Sequence, residues 1–321
     1  MTESYTPSQF IDKINQANPS SPTFDPLGTQ ALRQSIEDDK RQSGDILAQA
    51  DEQRKQDEQR KQDEQRKQQE YLNSPEGKIA KAEQEIQNMK TWLLTDQTYT
   101  SEEVDSIISN LTVEYNPKLD KAIVGGSLSL RGLISAEGLS LPENVGGDVD
   151  LRGLTSAEGL QLPQNVGWHL NLGSLTSAEG LQLPQNVGGD VDLTCLTSAE
   201  GLQLPQSVGG GLYLGGLTSA EGLQLPQRVR GGLDLDGLTS AEGLQLPKTV
   251  NGSLWLESLT SAEGLQLPET IGGNLSLSGL TSAEGLQLPK TVSGSLWLES
   301  LSPSDKQILK ELRPDLADKI R

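Results

Sequence analysis

The chain has 321 residues, a formal net charge of −19 and 3% aromatic residues, so a core in its C-terminal half must be built from Leu, Val and Ala. The acidic balance argues against a nucleic-acid partner, because phosphate binding is driven by Lys and Arg that displace counterions. Cys195 is the single cysteine, which excludes an internal disulfide. With neither a basic and apolar leader nor a run of about 18 apolar residues, the chain reads as soluble, without membrane insertion and with its compartment open.

In chain order, residues 1–27 are rich in Ser, Thr, Pro and Asn and are expected to be disordered, with one apolar patch at Phe10, Ile11 and Ile14. Residues 28–73 have helical propensity and contain DEQRKQ three times from Asp51. Opposite charges four apart, Asp51 with Lys55 and Arg54 with Glu58, support a helix, and no apolar residue interrupts Asp51 to Glu70. Such a helix has no face to bury and reads as a solvated spacer.

Ser74 as N-cap and Pro75 at the first helical position open a second helix with the stripe Ile79, Ala82, Ile86, Met89 and Leu93. That stripe can cover the end of the following domain or serve self-association as a short coiled coil. Thr100 and Glu103 form a capping box before Val104, Ile107, Ile108 and Leu111. Residues 74–120 are therefore expected to be a helical N-terminal cap.

Nine leucines from Leu133 to Leu301 are spaced 21 apart without insertion or deletion, and LTSAEGLQLP recurs seven times from Leu154. Such a period means a solenoid of stacked coils, here nine over residues 121–301. In VGGDVDLRGLTSAEGLQLP, the alternation of Val145, Val149 and Leu151 predicts one strand with one face buried, and Leu160 and Leu162 predict a second strand stopped by Pro163. Thr155 and Glu158 have capping-box spacing, with Gly159 placed as a left-handed cap and Ala157 turned inward. The constant phrase thus reads as a one-turn corner. After Leu301, Ser302 and Pro303 start a helical cap whose apolar side is Ile308, Leu309, Leu312, Leu316 and Ile320.

A strand of the form V-G-G-x-L-x-L followed by L-T-S-x-x-G-L resembles the leucine-rich-repeat superfamily, most closely the receptor L-domain type. The resemblance spans about Val124 to Leu301 and implies a right-handed parallel solenoid that binds partners without catalysis. The chain departs from that pattern in lacking flanking cysteine modules and an asparagine ladder, and in its strict 21-residue unit.

Comparison of the nine copies places the variation on the outward strand positions. One column reads Ser129, Asp150, Asn171, Asp192, Tyr213, Asp234, Trp255, Ser276 and Trp297; the column two residues earlier runs from Ser127 to Ser295. Tyr213, Trp255 and Trp297 are the expected interface anchors, and Asp150, Asp192 and Asp234 the charges that select a basic protein partner. Eight corner glutamates from Glu137 to Glu284 form a column that the capping role explains without an ion, since Ca²⁺ needs six to eight oxygens. His169 and Cys195 fall at different positions of their coils, so they imply no nucleophile and base. Asp150, Asp192 and Asp234, about 9.6 Å apart in alternate coils, lack a groove. The expectation is a non-enzymatic protein-binding scaffold with no metal or cofactor. The alternatives are a structural spacer that self-associates through the helices and carbohydrate binding through the aromatics. Trp168 stands in a column that is otherwise glycine, pointing outward or deforming its coil.

Overall fold

The computed structural model describes residues 26–96 and 98–321; the patch at Phe10, Ile11 and Ile14 lies outside them. The chain divides into two compact units, Met1–Tyr71 and Leu72–Arg321. The first is built on α1 (Pro26–Asn73), which starts two residues before the expected boundary. Three of its ion pairs are three apart, Asp51 with Arg54 at 2.8 Å, Asp57 with Arg60 at 3.0 Å and Asp63 with Arg66 at 3.1 Å, and one is four apart, Arg66 with Glu70 at 3.8 Å. The short carboxylate reaches the guanidinium one turn on, and each exposed pair contributes only a few tenths of a kcal/mol.

The second unit opens with α2 (Pro75–Asp96), capped by the Ser74 hydroxyl, which accepts from Gly77 N at 3.1 Å. Its stripe is buried inside the chain: Met89 and Leu93 join Leu128 and Leu130 of the first coil, while Ala82 and Ile86 pack on Ala122 and Val124. The face expected to serve self-association is therefore occupied by the chain itself. The Thr100 and Glu103 capping box forms and starts α3 (Ser101–Ser109), which buries Val104. The all-helical cap over 74–120 is corrected by a hairpin of β1 (Thr112–Asn116) and β2 (Lys121–Gly125). Its turn is closed by Asn116 Oδ1, which accepts from Lys118 N, and passes through Asp120 at φ 52°.

The repeats form a parallel β-solenoid of nine rungs separated by eight steps of 21 residues, flanked by helices at both ends. The single strand expected in VGGDVDL is in fact two. Asn144–Val145 belongs to a ten-stranded sheet that starts with the hairpin, and Val149–Asp150 belongs to a nine-stranded sheet. The glycine pair between them makes the bend, and close stacking favours glycine there. A methyl group at Gly147 would stand 2.2 Å from Gly126 O, and one at Gly167 2.2 Å from Gly146 O. Where the first glycine is replaced, the rung bond from the N–H is 3.4 Å at Arg230, 3.3 Å at Asn251 and 2.9 Å at Ser293, against 2.8 Å at Gly146 and Gly167.

The second expected strand, at Leu160 and Leu162, is absent; one isolated bridge, Ser140 to Gln161, stands in its place. Pro163 supplies no ladder donor. The corner is a turn rather than a helical cap: Ala157 O accepts from Leu160 N at 3.1 Å, and Gly159 takes φ 71°. Ser156, not Thr155, does the capping, its hydroxyl accepting from Glu158 N at 3.2 Å. A two-residue reach needs no helical turn. A three-rung asparagine ladder, unforeseen from the sequence, links Asn144, Asn165 and Asn186 at 2.7 and 3.0 Å.

Each coil contributes the inward set Val145, Val149, Leu151, Leu154, Ala157 and Leu160 to one continuous core. Each fully buried Leu is worth roughly 1.5–3 kcal/mol. The far end is closed by α4 (Pro303–Leu312), N-capped by Ser302, and by a 3-10 turn, Pro314–Lys319. Leu309, Leu316 and Ile320 are buried, whereas Ile308 and Leu312, expected on the same side, are 50% and 69% exposed. Cations close the last coil: Arg313 donates to Leu288 O, Pro289 O and Lys290 O at 3.3, 2.6 and 3.0 Å, and Lys319 donates to Val292 O. Ile320 pairs in parallel with Leu296, and Arg321 N donates to Leu296 O at 2.9 Å. Among the described residues no helix is long and apolar enough to cross a membrane.

Replacing Arg313 with Ala strands these carbonyls and is expected to cost about 2 kcal/mol, lowering the melting temperature of the solenoid unit by about 4–8 °C. Thermal unfolding followed by circular dichroism checks this; an unchanged midpoint rules out the clamp.

Candidate functional site

Three columns of side chains climb the outside of the nine-stranded sheet, running from Ser127 to Ser295, Ser129 to Trp297 and Arg131 to Glu299. The first was expected to be unconstrained. Instead it is a hydrogen-bond ladder in which each side chain accepts from the backbone N–H of the residue 21 positions on. Ser127 Oγ accepts from Asp148, Asp148 Oδ1 from His169, His169 Nδ1 from Asp190, and Asp190 Oδ1 from Gly211, at 2.6–3.0 Å. Ser253 and Asn274 continue it to Asn274 N and Ser295 N at 3.0 and 2.9 Å. The residues vary in identity but share an acceptor.

The ladder breaks at Gly211 and Gly232, so that among the described residues Gly232 N and Ser253 N have no acceptor. The rings of the middle column lie there. A methyl group at Gly211 would stand 2.9 Å from Tyr213 Oη, and one at Gly232 would stand 2.5 Å from Trp255 Cζ3. Tyr213 and Trp255 are half-buried as a result, whereas Trp297, with Asn274 in the corresponding place, is 41% exposed. Trp168 points outward, 63% exposed, with its rung bonds kept: Trp168 N donates to Gly147 O and Trp168 O accepts from Gly189 N. Its ring meets His169 edge-on at 6.2 Å.

The aspartates of the middle column each hold a turn. Asp150, Asp192 and Asp234 accept through Oδ1 from the N–H two residues on at 3.3, 3.1 and 3.0 Å, and Asn171 does the same at 3.1 Å. Their electrostatics then diverge. Asp150 is buried and paired with Arg131 at 2.7 Å and Arg152 at 2.8 Å. Burial opposes its charge, but hydrogen bonds from Arg152 and Arg131 outweigh that and hold its carboxyl below the usual range. Its charge is matched within the chain.

Among the described residues Asp234 has no ion-pair partner. Burial first, and then the charges of Glu257 and Asp192, push its carboxyl up, against one backbone hydrogen bond from Asp236. Asp236 is raised in the same way, by burial and then by Asp234 and Glu257. Burial also raises the Tyr213 phenol, helped by Asp190, Asp234 and Asp192. The face thus changes along its length from a compensated Arg131, Asp150 and Arg152 cluster to an acidic stretch without ion pairs among the described residues, around two half-buried rings.

A shallow cavity of about 300 Å³ lies on this face, lined by Asp148, Asp190, Asp192, His169 and Tyr213 among others. Two larger clefts, about 1370 and 780 Å³, open on another side between successive LQLP segments. Their lining is drawn largely from the constant LTSAEGLQLP phrase. The corner glutamates remain a solvent-exposed column, each donating its backbone N–H to the serine two residues before, as Glu158 does to Ser156 and Glu200 to Ser198. No protein-family model matches the chain, and no curated protein or solved structure matches it.

The fold brings Tyr213, Asp192, Asp234 and Trp255 onto consecutive or alternate rungs, with Asp150 and Trp297 toward opposite ends. Sequence comparison missed Gly211, Gly232, Asp236 and Glu257. Reading the third column and pairing each large residue with the small one beside it carries the missing signal.

The raised Asp234 carboxyl means that the folded chain binds that proton more tightly than the unfolded one. Stability therefore falls as pH rises from the ordinary carboxylate value through the raised one, and the penalty is complete at neutral pH. Asp234→Asn keeps the turn, as Asn171 shows, and is expected to raise the melting temperature at neutral pH by roughly 1–3 °C. The gain should vanish below about pH 4; a gain independent of pH contradicts this assignment.

Proposed function

We propose that the solenoid is a non-enzymatic scaffold that binds a basic segment of a protein partner on the outward face of the nine-stranded sheet. The carrying observation is the stretch from Asp192 to Glu257, where Asp192, Asp234, Asp236 and Glu257 form no ion pair among the described residues and flank the Tyr213 and Trp255 rings. Asp150, whose charge is held by Arg131 and Arg152, is set aside as a selector. A cationic side chain gains from the carboxylates by Coulomb attraction and from the rings by cation–π contact. Rings already fixed on glycine lose little freedom on binding. Trp297 extends the same face as an outer anchor.

The exposed, charge-paired α1 favours a second role. Its 48 residues span about 72 Å, and the stretch from Asp51 to Glu70 has no face to bury, as a spacer would.

An array of arginine- and lysine-rich peptides tests the main proposal. Binding is expected to weaken steeply between low and physiological salt. Changing Tyr213, Trp255 and Trp297 together to Ser is expected to weaken it by about tenfold or more with the fold intact. Unchanged binding by the folded triple variant ends this proposal, and capture of glycans in place of basic peptides replaces it with carbohydrate recognition.

A further inference from the structure

We infer that Gly211 and Gly232 are positioning residues of this face, kept side-chain-free so that Tyr213 and Trp255 lie flat as the floor on which a partner's guanidinium stacks. This rests on the binding face proposed above and assigns it a chemical preference. Six ladder links are made in this column, and two are missing. The two missing links are adjacent, at Gly232 N and Ser253 N. Both fall where the previous coil offers glycine, and both glycines lie beneath a ring of the middle column.

The obstacles at these glycines set them apart from most others in the stack. At Gly147, Gly167 and Gly188 an added methyl group meets a backbone carbonyl oxygen at 2.1–2.2 Å, so a side chain there requires the backbone to shift. At Gly211 and Gly232 the first atoms met belong to the Tyr213 and Trp255 rings, which can swing aside. Packing therefore permits a serine there, of the kind that Ser127 and Ser253 supply elsewhere in the column. The chain forgoes two backbone hydrogen bonds at this one place and holds two rings down in their stead.

Rings held over the glycines in this way would offer a π face outward. With Asp192 and Asp234 on the neighbouring rungs, the group that matches both ring and carboxylate is planar and cationic. Guanidinium satisfies that better than ammonium, since it stacks on aromatic faces and forms paired hydrogen bonds with carboxylates.

The test compares full-length wild type with Gly232→Ser and Gly232→Ala. The measurements are thermal unfolding, acrylamide quenching of tryptophan emission, and affinity for an arginine-rich peptide and its lysine counterpart. Gly232→Ser is expected to keep or raise the melting temperature by restoring an acceptor to Ser253 N, to make Trp255 more quenchable, and to lose fivefold or more in affinity for the arginine peptide. Gly232→Ala, which lifts the ring without supplying an acceptor, is expected to lose the same affinity. Wild type should prefer arginine over lysine at least threefold. A marked fall in melting temperature for both variants overturns the inference, because the rings are then structural plugs. So does unchanged affinity with a displaced ring, or equal binding of the two peptides. If wild type binds neither peptide, the basic-partner proposal fails and takes the guanidinium preference with it. The stability and quenching results then still decide whether the glycines position the rings.

Discussion

Parallel pairing of identical coils in strict 21-residue register is the constraint on which the rest of this structure depends. Each rung hydrogen-bonds to the next along two narrow sheets, and rungs about 4.8 Å apart bring the neighbouring carbonyl close to any Cβ at the bend. That distance favours the Gly-Gly pair; where it is replaced, the rung bond stretches at Trp168, Arg230 and Asn251 but not at Ser293. The same register stacks Leu upon Leu and Val upon Val into one core running the length of the unit. Insertion of a single residue would turn each inward leucine of its strand outward. Loss of register is therefore more damaging than most substitutions.

An end of such a stack is an open edge, and the chain closes its two ends by different chemistry. At the start, helix α2 and the hairpin bring Met89 and Leu93 onto the first coil. At the finish, Arg313 and Lys319 satisfy carbonyls of the last coil, while Ile320 adds a final bridge to the nine-stranded sheet. Unpaired strand edges recruit other chains. Two cations and one isoleucine on the last coil keep the solenoid finite.

Much of this was legible in the sequence, because a period of 21 with alternating Val and Leu specifies a stacked coil without further information. The caps at Ser74, Thr100 and Ser302 were equally plain, since each is a local hydrogen bond between residues close in sequence. What escaped depended on contacts between coils. The division of VGGDVDL into two sheets follows from the glycine bend, and capping by Ser156 rather than Thr155 follows from turn geometry. The acceptor ladder could not be read from one repeat, because Ser, Asp, His and Asn look unrelated until the amide they share, 21 residues on, is known. Likewise Asp150 and Asp234 occupy the same column, but Arg131 and Arg152 neutralise only the first.

The face that results is constrained almost everywhere and released in one place. Asp150, Asn171, Asp192 and Asp234 hold turns, the first column supplies acceptors, and at Gly211 and Gly232 the acceptor duty lapses beside the Tyr213 and Trp255 rings. Residue-resolved amide hydrogen exchange of the native protein tests this picture most directly. The amides of Asp148, His169, Asp190, Gly211, Asn274 and Ser295, each held by a side-chain acceptor of the preceding coil, are predicted to exchange slowly. Those of Gly232 and Ser253 are predicted to exchange fast within an otherwise protected sheet. Equal protection at all eight positions would contradict a ladder interrupted at Gly211 and Gly232.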